Sequence, residues 1–536
     1  MMIKDTIFQL VKSAIPTNVV FDIEFQEEGK FGHYSTSVAF ALAKKEKKNP
    51  AAVAEEIISA LKENPLFEKI EIAAGGFINF WISKKVLFEE LKNILEKKNT
   101  YGQNERGKGK KIRIEYVSAN PTGPIHIGNA RGGPYGESLA RVYEESGYEV
   151  LREYLHNDVG GQIEKLGETL WYWYEKSMGK EMAFPEGGYQ GEYLEEVMAA
   201  ALKKFKKEDN VTIEALTRFG LDYIFENNMN VLKRMGILFD LIQKESELIS
   251  SGKTQEAIDI TKEKGATKES EGALWFAPKD EFLEDREAVI VKSNGKPTYF
   301  ASDIAYHKEK FESGYDFVID IFGSNHHGHV PKLQALTKLF GYSPENFKVL
   351  LYQFVRVKRG SEVIKMSKRA GTYVTTEELL DEVGKDSVVF SLLSSAPTTH
   401  IDFDLEAAKQ KSMQNPVYYV QYAYVRARSI SEKAGVFVLN QDINLEPLNT
   451  NEDSFLIRKL AQFPEIIDMC VNDFEVHRLT RYATELARVL HNFYEKEHVI
   501  GEEEKVFQAR VVLIEATKIV FKNLFRVIGI NAPENM

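Results

Sequence analysis

The sequence predicts a multidomain α/β protein. A parallel-sheet domain lies between a small α+β N-terminal domain and an all-α C-terminal bundle. Three observations predict this. A strand, a proline- and glycine-bearing turn and a helix follow one another from Lys111 to Gly147. From about residue 403 the apolar pattern is helical to the end of the chain. A polar, glycine-bearing stretch at 101–111, YGQNERGKGKK, separates the first hundred residues from the rest. A chain of 536 residues is too long for one core, which agrees with several domains.

The elements follow in order. In the first segment AAVAEEIISALKEN has apolar residues at helical spacing, and KIEIAAGGFINFWI (69–82) reads as strand, glycine turn, strand. The stretch at 101–111 is expected to be a linker. Lys111 to Val117 (KIRIEYV) is a strand that opens a Rossmann-like unit. Residues 160–260 are mostly helical, with an aromatic cluster at Leu170–Tyr174, and are expected to form an insertion. Strand patterns return at 288–292, 317–321 and 348–352, and the helices after 403 suggest a bundle with short loops. The expected domains are 1–108, 109–400 and 401–536.

Composition bounds the function. The hydrophobic fraction of 43% and charged fraction of 28% are those of an ordinary globular protein. No apolar run reaches the length of a membrane span, and the N-terminus lacks the pattern of a secretory signal. Cys470 is the only cysteine, which excludes intrachain disulfides and multi-cysteine zinc sites and fits a cytoplasmic location. The net charge of −11 argues against indiscriminate nucleic-acid binding, although an acidic protein can bind RNA through local basic surfaces. Only residues 1–110 have a positive balance, 17 basic against 15 acidic.

Two segments carry chemistry. In SANPTGPIHIGN (118–129) the prolines and Gly123 stop the strand and let backbone approach a ligand. His126 and Asn129 lie on one side of a helical first turn, where both can donate hydrogen bonds to phosphate oxygens. Gly128 leaves room for adenine. Far downstream, Lys365-Met366-Ser367-Lys368-Arg369 places closely spaced cations in a loop, suited to neutralising β- and γ-phosphates. Each segment alone has a bland reading, as a structural turn or a solvated charge run. The ordered pair makes the bland readings improbable.

The pair resembles the two ATP-handling signatures of class I aminoacyl-tRNA synthetases. Asn129 stands where the class usually has a second histidine. Further segments resemble the arginine enzymes of the class: EYVSANPTGPIHIGNARGG (115–133), REYLHNDVGGQ (152–162), GALWF (272–276), TYFASDIAYHKEKF (298–311), GSNHHGHV (323–330), KMSKRAGTYVT (365–375), NPVYYVQYAYVRARSI (415–430) and HRLTRYATELARVLHNFYE (477–495). The resemblance covers nearly the whole chain in order and spacing. It implies that 1–108 contacts the tRNA elbow, that 109–400 is the class I catalytic domain, and that 401–536 binds the anticodon.

An arginine pocket needs acceptors for a planar, five-donor guanidinium, and carboxylates fit that fork. Tyr299 and Asp303 share a helical face. The resemblance places both in the amino-acid pocket, with Glu115, Ser118 and Asn120. A plainer alternative makes Ser302-Asp303 a helix cap. The resemblance turns Gly323, Asn325 and His326 toward adenosine, with Met366 and Ser367 joining His126, Gly128 and Asn129 at ATP. Asn325 stands where the family commonly has an acidic residue. His326, His327 and His329 also invite a metal reading, but adjacent histidines on one turn rarely converge on zinc, so no resident metal is expected. Tyr418, Tyr422 and Arg426 alternate aromatic and cationic character, as suits unpaired RNA bases. Some of the neighbouring tyrosines are expected in the bundle core.

The implied function is ATP-dependent ligation of L-arginine to tRNA(Arg), with Mg²⁺ accompanying ATP and His126, Asn129, Lys365 and Lys368 as the catalytic set. The implied state is a cytoplasmic monomer without membrane association. Two alternatives are a class I synthetase for another amino acid and a non-catalytic tRNA-binding relative. The arginine-type segments weigh against the first, and the presence of Lys365 and Lys368 against the second.

Overall fold

The computed structural model describes residues 2–536 apart from 28, 30, 206–209, 280–282, 284–286, 361, 365–373 and 436–442. Lys365, Met366, Ser367 and Lys368 therefore lie outside the described residues.

Five strands form an all-parallel central sheet: β1 (Lys111–Glu115), β2 (Glu149–His156), β3 (Leu241–Lys244), β4 (Phe317–Gly323) and β5 (Phe347–Tyr352). Their spatial order is β5-β4-β1-β2-β3. The chain leaves β1 toward one side and returns to the other, so the order reverses between β1 and β4. In open α/β sheets the crevice beyond such a reversal is where ligands bind. Four of the five β1 residues are buried, as expected for a strand covered on both faces.

The helices that position the site are α1 (Gly132–Glu145), α2 (Gly161–Ser177), α3 (Tyr193–Lys204), α4 (Ile213–Arg234), α5 (Tyr299–Glu312), α6 (Thr376–Val383), α7 (Pro416–Ala434) and α8 (His477–Lys496). Helix α1 packs closely on the strand that precedes it: a Cβ on Gly136 would lie 2.2 Å from the Tyr116 ring. Helices α2–α4 form the insertion and share their own apolar core, including Leu166, Leu170, Leu194, Val197, Leu216 and Ile224.

The structure corrects two expectations, the end of the insertion and the linker at 101–111, and places the expected strand near 288 in a sheet of its own. The insertion ends at Arg234 rather than near 260, because Leu241–Lys244 returns to the central sheet as β3. This strand is short and half polar, so its sequence carries little strand signal. The strand Ala288–Val291 does not join the parallel sheet. It pairs antiparallel with Ala273–Phe276 in a separate three-stranded sheet. The stretch at 101–111 is not a free linker. Tyr101 is 1% exposed and stacks on Phe463 with ring centroids 6.3 Å apart. Arg106 reaches Asp468 at 2.6 Å, and a Cβ on Gly102 would lie 2.5 Å from the Phe463 ring. Gly102 and Gly107 serve close packing, against Phe463 and Tyr148, while Gly109 takes a positive φ of 78°.

At the N-terminus four antiparallel strands, including the expected pair Phe67–Ala73 and Phe77–Ile82, pack with helices. This layer meets the C-terminal helices through Tyr34, whose hydroxyl donates to Glu465 at 2.7 Å. The strand Ile401–Asp404 pairs with Val355–Arg359 just before the chain becomes helical. Among the described residues, no helix is long and apolar enough to cross a membrane.

Candidate active site

The turn after β1 is strained and externally held. Val117 and Ser118 have φ of 70° and 35°, a region that L-residues, and β-branched ones above all, seldom adopt. Such strain persists only where surroundings over-determine it. Ser118 Oγ donates to Glu115 Oε1 at 2.7 Å and accepts from the Leu155 N–H at 3.0 Å. Asn120 is exposed at the turn's rim.

His126 caps the helical turn Ile127–Ala130: its Nδ1 accepts from the Asn129 N–H at 3.3 Å. An accepting Nδ1 puts the proton of a neutral ring on Nε2, which leaves Nε2 as a donor. Asn129 is partly exposed, and its carbonyl accepts from Tyr352 Oη at 3.3 Å. A Cβ on Gly128 would lie 2.9 Å from His126 Cε1, so glycine here preserves the ring's position. His126 also forms a β-bridge with Thr375, and the Thr376 N–H donates to the Ile125 carbonyl at 2.9 Å. The residues that follow the lysine segment thus join the first signature directly. Thr375 begins α6 with a capping box to Glu378.

Across the reversal point, Gly323 ends β4 and is followed by the exposed residues Asn325 and His326. A Cβ on Gly323 would lie 2.7 Å from Asn325 Oδ1. Among the described residues, no group of three or more His, Cys, Asp or Glu could hold a metal ion.

Helix α5 starts at Tyr299, with Thr298 at its cap position, so Ser302 and Asp303 lie inside the helix and the capping alternative is set aside. Tyr299 is 66% exposed, its ring 6.1 Å from that of His329. Asp303 is pushed up to about 7, first by burial, with Glu245 and Glu115 adding to the rise against His307 and Lys310. Burial also raises Glu245, whose Oε2 accepts from Asn157 Nδ2 at 3.2 Å. Glu245 was not singled out from the sequence. It directly follows β3, and a strand recognised there would have marked it as a strand-end carboxylate.

Beneath these groups lies a buried ionic lattice. Lys310 Nζ donates to Glu115 and, at 2.6 Å, to Asp320 Oδ1, with Glu153 at 3.8 Å. Glu153 is also paired with Arg113, whose Nε lies 2.7 Å from its Oε2. Each of these five residues is at most 2% exposed. Burial works to lower Lys310, but Asp320, Glu115 and Glu153 together hold it above the usual lysine value. Asp320 is held at about 2: burial would raise it, and Lys310 and His307 overcome that. Glu115 is raised, chiefly by burial. His307 fixes the lattice to the helix, with Nε2 2.9 Å from Asp320 Oδ2 and Nδ1 2.7 Å from the Asp303 carbonyl. Lys310 and His307 both went unrecognised in the sequence.

On the bundle, Tyr418, Tyr422 and Arg426 form a ladder along α7. The tyrosine rings lie 6.3 Å apart and nearly parallel, at 8°. The Arg426 guanidinium sits 3.6 Å from the centroid of Tyr494 on α8, and His491 packs 5.8 Å from Tyr422. Tyr424 is 8% exposed and belongs to the core, as expected for some of these tyrosines.

Comparison with known proteins adds identity to this geometry. Three family matches run along the chain: the arginyl tRNA synthetase N terminal domain over 1–82, the catalytic domain of class I (R) tRNA synthetases over 90–401, and the DALR anticodon binding domain over 420–536. An arginine–tRNA ligase of Thermotoga maritima is 40% identical and covers 100% of this chain and 99% of its own. One from Carboxydothermus hydrogenoformans is 38% identical over 97% and 94%. The solved Thermus thermophilus arginyl-tRNA synthetase has the same fold, with a TM-score of 0.80 at 22% identity and all of both chains covered. The class I fold implies use of ATP. On these matches, the chain belongs to the arginyl-tRNA synthetase family.

Proposed function

We infer that the protein is an arginine–tRNA ligase that joins both of its small substrates at the carboxyl edge of the parallel sheet. The observation that carries this reading is the placement of acidic groups beside one turn. Asp303 lies within electrostatic reach of Glu245 and Glu115. The turn that starts behind Glu115 ends at His126 and Asn129.

An arginine carboxylate oxygen attacks the α-phosphorus of ATP. The bond to the β-phosphate oxygen breaks, and pyrophosphate leaves. The 2′-hydroxyl of the terminal tRNA adenosine then attacks the arginyl carbonyl, and AMP leaves. No side-chain nucleophile takes part, so the rate comes from alignment and charge stabilisation. His126 Nε2 and the Asn129 amide donate to phosphate oxygens. An amide can do this without becoming cationic, which makes Asn129 a working replacement for imidazole. Lys365 and Lys368 neutralise the leaving pyrophosphate. Mg²⁺ enters as the companion of the triphosphate. Gly128, Gly323, Asn325, His326, Met366 and Ser367 border the nucleotide.

Asp303 and Tyr299 receive the guanidinium. Glu245 and Glu115 supply further negative charge, and Ser118 and Asn120 serve the amino-acid backbone. A lysine ammonium cannot fill a fork-shaped acceptor set, and buried acceptors left unpaired are costly. Tyr418, Tyr422 and Arg426 meet unpaired tRNA bases and phosphates. The N-terminal domain, 1–108, lies on the tRNA elbow, and 401–536 reads the anticodon. The enzyme acts as a cytoplasmic monomer.

Charging of total tRNA with each labelled amino acid tests this reading. Arginine alone is expected to be incorporated. Charging with another amino acid, or none, would overturn it.

A further inference from the structure

We propose that the helical insertion α2–α4 is a clamp that sets the signature turn, with Asn228 and Tyr193 as its positioning residues. The inference rests on the reading of His126 and Asn129 as ATP ligands and gives the insertion a role in their alignment.

The turn cannot hold itself. Pro121 and Pro124 have no N–H, and Val117 and Ser118 are strained. Five of its backbone groups are satisfied from outside. The Ala119 carbonyl accepts from Tyr154 Oη at 3.0 Å, and the Thr122 carbonyl accepts from Tyr193 Oη at 2.7 Å. The Gly123 carbonyl accepts from Asn228 Nδ2 at 3.1 Å, while the Ile125 N–H donates to Asn228 Oδ1 at 3.0 Å. The Ile125 carbonyl takes the Thr376 N–H.

Asn228 is 2% exposed and lies on α4; Tyr193 opens α3. Asn228 meets one backbone acceptor and one backbone donor two residues apart, and its amide supplies both partners from two separate atoms, Nδ2 and Oδ1. Ile125 directly precedes His126, so a displacement there passes to the imidazole. The insertion's own apolar core holds α3 and α4 in one body, and through it both clamp residues are placed together.

The test compares four variants of the full-length enzyme in single-turnover adenylate formation, with thermal midpoints measured in parallel. Asn228→Ala is expected to slow the step about 100-fold, the scale of a misplacement near 1 Å, with the arginine KM unchanged. Asn228→Asp keeps the shape but opposes an oxygen to the Gly123 carbonyl, and it should be no better than Ala. Tyr193→Phe removes one hydroxyl and should slow the step about fivefold. Leu170→Ala loosens the insertion core while leaving both clamps, and it should lower the midpoint without the matching loss of rate.

A wild-type rate in Asn228→Asp, or losses that track the thermal midpoint across all four variants, would overturn the proposal. If the Asn228 variants do not fold, Tyr193→Phe decides, and an unchanged rate there overturns it. His126→Ala separates the two levels. If it leaves the rate intact, the ATP-site reading itself fails. If it slows the step while Asn228→Asp and Tyr193→Phe do not, only the clamp fails.

Discussion

The edge of the parallel sheet and the ladder on α7 and α8 are the two regions proposed to meet substrates, and they are built in opposite ways. At the sheet edge three functional groups are tied to fixed partners: Ser118 to the buried Glu115, Glu115 to the buried Lys310, and His126 to the Asn129 backbone. On the ladder, side chains rest on one another, with Tyr422 beside Tyr418 and Arg426 over Tyr494, which is 38% exposed. The first arrangement fixes atoms for a reaction that tolerates little displacement. The second offers faces on which bases of varied shape can stack. Substitutions at the edge should therefore damage stability and chemistry, and substitutions on the ladder should weaken only tRNA use.

The largest contrast is in stability. Lys310→Met leaves Glu115, Asp320 and Glu153 buried with Arg113 as their remaining cation, and should cost about 3–5 kcal/mol in urea unfolding. A cost below about 1 kcal/mol would reduce the lattice to the level of a surface ion pair. Next is the chemical step. His126→Ala should slow adenylate formation about 100-fold, as loss of one aligned donor does. Asn129→Ala should also slow it markedly, with tRNA affinity unchanged in both. Equal rates for Asn129→Ala and wild type would make that position structural.

The pH dependence is smaller and has a definite sign. Asp303 is raised to about 7, so folding disfavours its anion and the stability of the empty protein falls as pH rises from about 4 toward 7. Guanidinium prefers the anion. The arginine KM should therefore climb about tenfold per pH unit below 7, and Asp303→Asn should flatten that slope. A slope that survives in Asp303→Asn would assign the titration to another group. The smallest effect belongs to the ladder. Tyr422→Ala should raise the tRNA KM by about fivefold, the low end of one lost base stack, while pyrophosphate exchange with saturating tRNA is unchanged. Loss of exchange there would erase the distinction between the two regions.

What was legible in the sequence follows from chain distance. His126, Gly128 and Asn129 sit in one short run, and their local geometry could be read from it. The residues that hold them could not. Asn228 is 103 residues from Ile125, and Lys310 is 195 from Glu115, so only the folded sheet brings them together. Lys310 lies in a charge-rich segment, HKEKFE, that reads as a solvated helix face, yet its side chain is fully buried. The glycines of 101–111 signalled a linker because close packing and flexibility leave the same composition. Their spacing puts Tyr299 and Asp303 on one helical face, and α5 does carry both, but the exposure of Tyr299 and the raised Asp303 depend on neighbours from other elements.

Arginine-dependent ATP–pyrophosphate exchange by Asp303→Ala with tRNA present, measured alongside ATP binding, decides whether the sheet-edge carboxylates hold arginine. Exchange is expected to be lost while ATP still binds. Exchange at the wild-type rate would contradict the assignment of the sheet-edge carboxylates to arginine.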